Sequence, residues 1–150
     1  MHFRKAQESD LPAIVRMLAD DELGSQRERF ENPLPALYHN AFAAIEAQTG
    51  NQIILAIEDE AIIGCLQLVI IPGLARQGML RAQIEGVRVD GSYRGKGVGE
   101  ALFKEAIAIA KSTGCGLVQL TTDKQRGDAH RFYDRLGFTA SHEGMKLILE

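Results

Sequence analysis

Tryptophan is missing from this chain of 150 residues, cysteine occurs only twice and proline four times. Two cysteines, Cys65 and Cys115, are too few for a disulfide framework or a zinc cluster. His2, His39, His130 and His142 fall at no metal-ligand spacing, so no metal is expected. No apolar run approaches the ~20 residues that span a bilayer, and residues 1–9 are too polar for a secretory signal. Excess positive charge is lacking too. The formal net charge is −3, which argues against nucleic acid or an acidic membrane surface as a partner. Internal repeats and low-complexity tracts are absent. The composition is that of an ordinary soluble globular protein, at a length that buries one sizeable core. A single domain over residues 1–150, in the cytosol, is expected.

Hydrophobic spacing outlines the elements. Residues 3–6 read as a short strand, and Ser9 or Asp10 caps a helix carrying Leu11, Ile14, Val15 and Leu18 on one face. Residues 20–35 are charged and irregular, as a loop should be, and residues 35–49 read as a second helix. Residues 52–57 and 61–71 are strands joined at Asp59-Glu60, followed by a loop over residues 73–78. Residues 79–89 form the next strand and residues 100–112 an amphipathic helix that Gly114 ends. A strand at 117–122, a helix at 127–136 and closing strands over 137–148 complete a mixed α/β sandwich. Met145, Leu147 and Leu149 share one side of the last strand, an apolar edge that points to a homodimer.

The most informative stretch is Arg94-Gly95-Lys96-Gly97-Val98-Gly99, set between a β-branched strand and a helix. Glycines allow close backbone approach to a ligand, and the first helical turn offers N–H groups without partners at the positive end of the helix dipole. This is a cradle for phosphates. A P-loop is excluded, since Gly91 and Gly95 are one residue too close and Gly97, not a hydroxyl residue, follows Lys96. A dinucleotide fingerprint fits at Gly95 and Gly97 but meets Glu100 at its third glycine, leaving it a weak rival.

The same residues resemble the acyl-coenzyme A signature [RQ]-x-x-G-x-[GA] of the GNAT superfamily of N-acetyltransferases, with Arg94, Gly97 and Gly99 at its fixed positions. A second block, Asp128-Ala129-His130-Arg131-Phe132-Tyr133-Asp134-Arg135-Leu136-Gly137-Phe138, resembles the family's N-x-x-A-x-x-F-Y-x-x-x-G-F, with Asp128 in place of asparagine. The run 120–133 is also similar to aminoalkylphosphonate N-acetyltransferases. The resemblance implies a mixed, mostly antiparallel sheet of six to seven strands flanked by about four helices. It implies acetyl-coenzyme A as cosubstrate and a primary amine of a small molecule as acceptor. A protein N-acetyltransferase and a coenzyme-binding regulatory module without turnover are the alternatives.

Carried over residue by residue, the resemblance implies that backbone groups of Val87 and Val89, with Arg88 between them, line the pantetheine. An N–H near Val87 would polarise the acetyl carbonyl, a contact typically worth ~3 kcal/mol of barrier. The amides of Gly95, Lys96, Gly97, Val98 and Gly99 would take the pyrophosphate, with charge from Arg94 and Lys96. Asp128 occupies the family's asparagine position on the coenzyme side. Glu85, two residues before Val87 and on the matching side by simple alternation, is the candidate base for an ammonium with pKa ~10.4. A carboxylate paired with Arg81 or Arg88 is the competing structural reading of Glu85. Tyr133 matches the tyrosine that protonates the departing thiolate, and the competing reading is a core aromatic. Cys115 lies at a helix end, where a thiolate is not favoured, and Cys65 in an apolar strand, so direct attack on the thioester is expected rather than an acyl-cysteine route. Arg27, Arg29, Arg76, Arg81 and Arg88, in or beside the loops that should contact the acceptor, point to an amine bearing an acidic group.

Overall fold

A computed structural model of the protein describes residues 1–124 and 127–150. Among these residues one sheet runs in the order β1-β2-β3-β4-β5, comprising β1 (His2–Lys5), β2 (Asn51–Glu58), β3 (Ala61–Ile71), β4 (Leu80–Val89) and β5 (Cys115–Gln119). The first three pairings are antiparallel. β4 and β5 are parallel, as the intervening helix requires. Six helices accompany the sheet: α1 (Leu11–Leu18), α2 (Glu22–Arg27), α3 (Ala36–Ala47), the single turn α4 (Ala75–Gly78), α5 (Val98–Thr113) and α6 (Gly127–Arg135).

Each face of the sheet has its own core. On one, Ala56, Ile63, Leu66, Leu68, Ala82 and Ile84 pack against Leu102, Phe103 and Ala106 of α5. On the other, Leu55, Ile57 and Cys65 pack against Leu11, Ile14 and Met17 of α1 and Phe42 of α3. Alternation along β2, and along β3 on either side of a bulge at Ile63, produces this division. Gly64 lets α5 approach β3: a Cβ there would lie 2.9 Å from Leu102 Cδ1 and 3.0 Å from Val98 Cγ1. The β2–β3 hairpin turns on Asp59 and Glu60, both with positive φ, as a tight two-residue hairpin demands.

Three expectations are corrected. The sheet has five strands rather than six or seven, and there are six helices rather than four. The difference lies at residues 137–148, which carry no strand. Alternation there is legible, but a strand exists only where a neighbouring backbone supplies the ladder. Met145, Leu147, Ile148 and Leu149 are instead exposed by 79–93%. Residues 20–35 hold a helix, α2, because Asp21 accepts the Gly24 N–H as an N-cap. Asp10 makes no side-chain cap on α1; its carboxylate accepts both Arg4 nitrogens, at 2.8 and 2.9 Å, and the Gln7 N–H at 2.7 Å.

Candidate active site

The parallel ladder between β4 and β5 ends at Gln83–Gln119, although β4 continues to Val89. β5 itself stops at Gln119, so among the described residues the corresponding edge of residues 84–89 carries no ladder. β4 is also bulged. Gln67 faces Glu85 and Cys65 faces Arg88, so β4 spends one more residue than β3 over this interval. Gly86 absorbs the bulge at φ +60°, a conformation that other residues adopt only with strain. The bulge overturns simple alternation. Glu85 shares a face with Gln67, whereas Val87 and Val89 pack against the α5 core.

Glu85 is exposed. Among the described residues it makes no ion pair or side-chain hydrogen bond, with Arg81 and Arg88 included. Arg88 turns back, its Nη1 donating to the Val87 carbonyl at 2.8 Å. Leu18, at the end of α1, lies 3.8 Å from where a Gly86 Cβ would sit, so α1 borders the bulge.

Beyond β4, Asp90 accepts the Ser92 N–H and an Arg16 guanidinium N–H, contacts that hold its carboxyl below the usual carboxylate range. The chain then passes Gly95 (φ +77°) and Gly97 (φ +81°), the latter serving as the N-cap of α5. A Cβ at either glycine would meet nothing within 4 Å, so the concave side of the turn is open. α5 starts at Val98, two residues before the start read from the sequence, and its first amides have no intrahelical acceptor. Lys96 Nζ sits 5.3 Å from the centroid of the Tyr93 ring. Arg94 reaches Asp20 at 3.4 Å. A depression of about 440 Å³ opens beside this turn, lined by Glu100, Phe132, Arg135 and Leu136.

α6 packs on α5 through aromatic edges. The Phe103 ring centroid lies 5.5 Å from that of Tyr133, 5.6 Å from Phe132 and 6.0 Å from Phe138. Tyr133 is half-buried in this cluster, so its ring serves packing whatever its hydroxyl does. Asp128 and His130 are exposed on the same helix. Gln125 and Arg126, within the run 120–133, lie outside the described residues.

Neither thiol suits nucleophilic attack. Burial pushes the Cys65 thiol up to about 12, and burial also raises that of Cys115. Of the arginines expected near the acceptor, Arg27 is engaged by Asp123 and Arg29 by Glu31, each at 3.0 Å. Two neighbours of the site, Gln67 and Gln83, were not singled out by sequence. Their signal, one amide in each of two strands on the face that carries Glu85, emerges only once the register is known.

The profile of the Acetyltransferase (GNAT) family matches residues 15–138, most of the chain. A glucosamine 6-phosphate N-acetyltransferase from Trypanosoma brucei brucei is 40% identical over 88 residues, 59% of this chain and 58% of that protein. The chain thus spans less than two thirds of that relative. The aminoalkylphosphonate N-acetyltransferase of Salmonella typhimurium is 43% identical over 49 residues, covering 33% of this chain and 32% of that protein. The crystal structure of a Bacillus halodurans transcriptional regulator superposes with a TM-score of 0.96 at 52% identity, covering 99% of both chains. A family profile running from α1 to the end of the second sequence block, over the unladdered end of β4 and a glycine-capped helix, establishes that this chain belongs to the GNAT family of acetyltransferases.

Proposed function

We propose that this chain is a single-domain, acetyl-coenzyme A-dependent N-acetyltransferase acting on the primary amine of a small molecule. The observation that carries the reading is the β4 edge left without a ladder after Gln83–Gln119, leading into the open turn that caps α5. The free β4 edge, with Val87, Arg88 and Val89, would hold the pantetheine. The amides of Gly95, Lys96, Gly97, Val98 and Gly99 would hold the pyrophosphate. Lys96 adds positive charge to this cradle, and Arg94 does so while bridged to Asp20. The depression lined by Phe132 and Arg135 lies beside this cradle, and Asp128, at the family's asparagine position, would face the coenzyme.

Acetyl-coenzyme A supplies an acetyl group activated as a thioester. Glu85, exposed and without a partner among the described residues, is suited to take a proton from the acceptor ammonium, directly or through one water. Tyr133 is suited to give its hydroxyl proton to the leaving sulfur. The weak tendency of both cysteines to ionise favours direct attack by the amine over an acyl-cysteine route. Both thiols are free, which suits a reducing compartment such as the cytosol. Among the described residues no helix is long and apolar enough to cross a membrane. The exposed side chains of Met145, Leu147 and Leu149 support a homodimer.

Thiol release from acetyl-coenzyme A, measured with a panel of small amines, tests the proposal. Amine-dependent release supports it. Coenzyme binding with no turnover for any amine would instead favour a regulatory module, a reading motivated by the Bacillus halodurans regulator at 52% identity.

A further inference from the structure

Three cross-strand pairs follow one another on the sheet face that carries Glu85: Gln67 opposite Glu85, Val69 opposite Gln83, and Ile71 opposite Arg81. The intervening Leu68, Ala82 and Ile84 are buried on the opposite face, under α5. Along β4, this face therefore carries Arg81, Gln83 and Glu85 where the opposite face is apolar. Gln67 donates to Asn51 at 2.9 Å, and Gln119 donates to Gln83 at 2.8 Å. Each carboxamide keeps further donor and acceptor capacity beyond those bonds.

At the far end from Glu85, Arg81 and Arg76 line one depression of about 230 Å³ with Leu74 and Met79. Arg16, Arg27, Arg29 and Arg94 each face a carboxylate. Arg76 and Arg81 make no ion pair or side-chain hydrogen bond among the described residues, so none of those residues neutralises their charge. Arg76 is also held in the left-handed region (φ 58°, ψ 39°), followed by Gln77 (φ 61°) and Gly78 (φ 75°). Two guanidinium groups at one concave spot suit a phosphate or phosphonate, which accepts their forked N–H groups in pairs.

We infer that this face selects the acceptor: Glu85 meets the amine, the Gln67 and Gln83 amides contact a polar middle, and Arg81 with Arg76 binds a phosphate-like group at the other end. The inference rests on the acetyl-transfer reading above. It also sets a length. Four residues of strand separate Arg81 from Glu85, about 13 Å between Cα atoms. Side chains leaning towards each other shorten that gap by only part of it. An aminophosphonate whose nitrogen and phosphorus share one carbon spans little of that gap, so a longer amine is favoured.

Acetylation of a chain-length series tests this, comparing aminomethylphosphonate, aminoethyl phosphate and aminobutyl phosphate with the matching phosphate-free amino alcohols. Wild-type kcat/KM should rise with chain length and favour each longer phosphate over its alcohol by at least about tenfold. Arg81→Ala should cut that ratio about tenfold, Arg76→Ala should cut it less, and Arg81→Lys should restore part of it. Inorganic phosphate should compete with the amine in wild type and compete less well in Arg81→Ala. Unchanged thermal melts would show that these variants fold. A phosphate preference unaltered in both alanine variants, or a wild type that prefers the alcohols or the shortest phosphonate, overturns the inference while leaving acetyl transfer intact. Failure to acetylate any amine would strike the underlying reading instead.

Discussion

Glu85 and Val87, two residues apart on β4, lie on opposite faces of the sheet because Gly86 places a bulge between them. The carboxylate follows Arg81 and Gln83 on the face bordered by α1, while the bulge returns Val87 to the α5 core and leaves its backbone at the strand edge. Gly86 has room for a methyl group, the nearest atom to its Cβ position being Leu18 Cδ2 at 3.8 Å, but not the right φ. Gly86→Ala should therefore destabilise the protein by about 1–2 kcal/mol, the penalty for a left-handed L-residue. Urea denaturation reads this. A variant as stable as wild type would show that the bulge relaxes freely.

Gly97 combines open space with φ +81°, so Gly97→Asp adds both backbone strain and a negative charge to the proposed phosphate cradle. Wild type at coenzyme A concentrations 100 times Kd should gain ~2.7 kcal/mol. The variant should gain almost nothing. Equal thermal shifts for both proteins would remove the phosphate assignment.

Glu85→Gln should lower kcat by about a hundredfold and abolish the acidic limb of the kcat/KM profile, if its carboxylate takes the amine proton. Retention of that limb in the variant assigns the base elsewhere.

Tyr133→Phe keeps the ring, and with it the edge contacts to Phe103, Phe132 and Phe138. Its melting temperature should stay near wild type while kcat falls, with coenzyme affinity little changed. The loss should shrink with thioesters of more acidic thiols, which need less protonation on leaving. A loss of coenzyme binding in proportion to the lost rate would identify Tyr133 as a packing residue.

Asp10 sets a pH dependence of stability. Hydrogen bonds from Arg4, opposed by burial, hold its carboxyl below the usual carboxylate range, which centres on ~3.9. A carboxyl with a depressed folded-state pKa contributes stability that is complete above that ordinary value and is lost as pH falls through the folded-state one. Asp10→Asn should therefore cost on the order of 2 kcal/mol at neutral pH, the scale of charged hydrogen bonds. The two proteins should converge in acid. Urea melts over that range check it, and a gap that persists at the lowest pH would point to packing instead of charge.

Local pattern and spacing were enough for much of this protein. The open glycine turn before α5, the helical faces of Ile14 and Phe103, and the two motif blocks are properties of short segments, set by backbone sterics and the period of apolar residues. Packing across the molecule decided the rest. The Gly86 bulge is visible only when β3 and β4 are in register, because the sequence does not say which strand carries the extra residue. That Arg94 also reaches Asp20, 74 positions earlier in the chain, is seen only in the folded protein. Met145 to Leu149 alternates like a strand but remains exposed, since alternation records only what a segment could bury. Gln67, Gln83, Arg81 and Glu85 become one surface only through pairing between strands, whose partners are fixed by the folded sheet and by no feature of either strand alone.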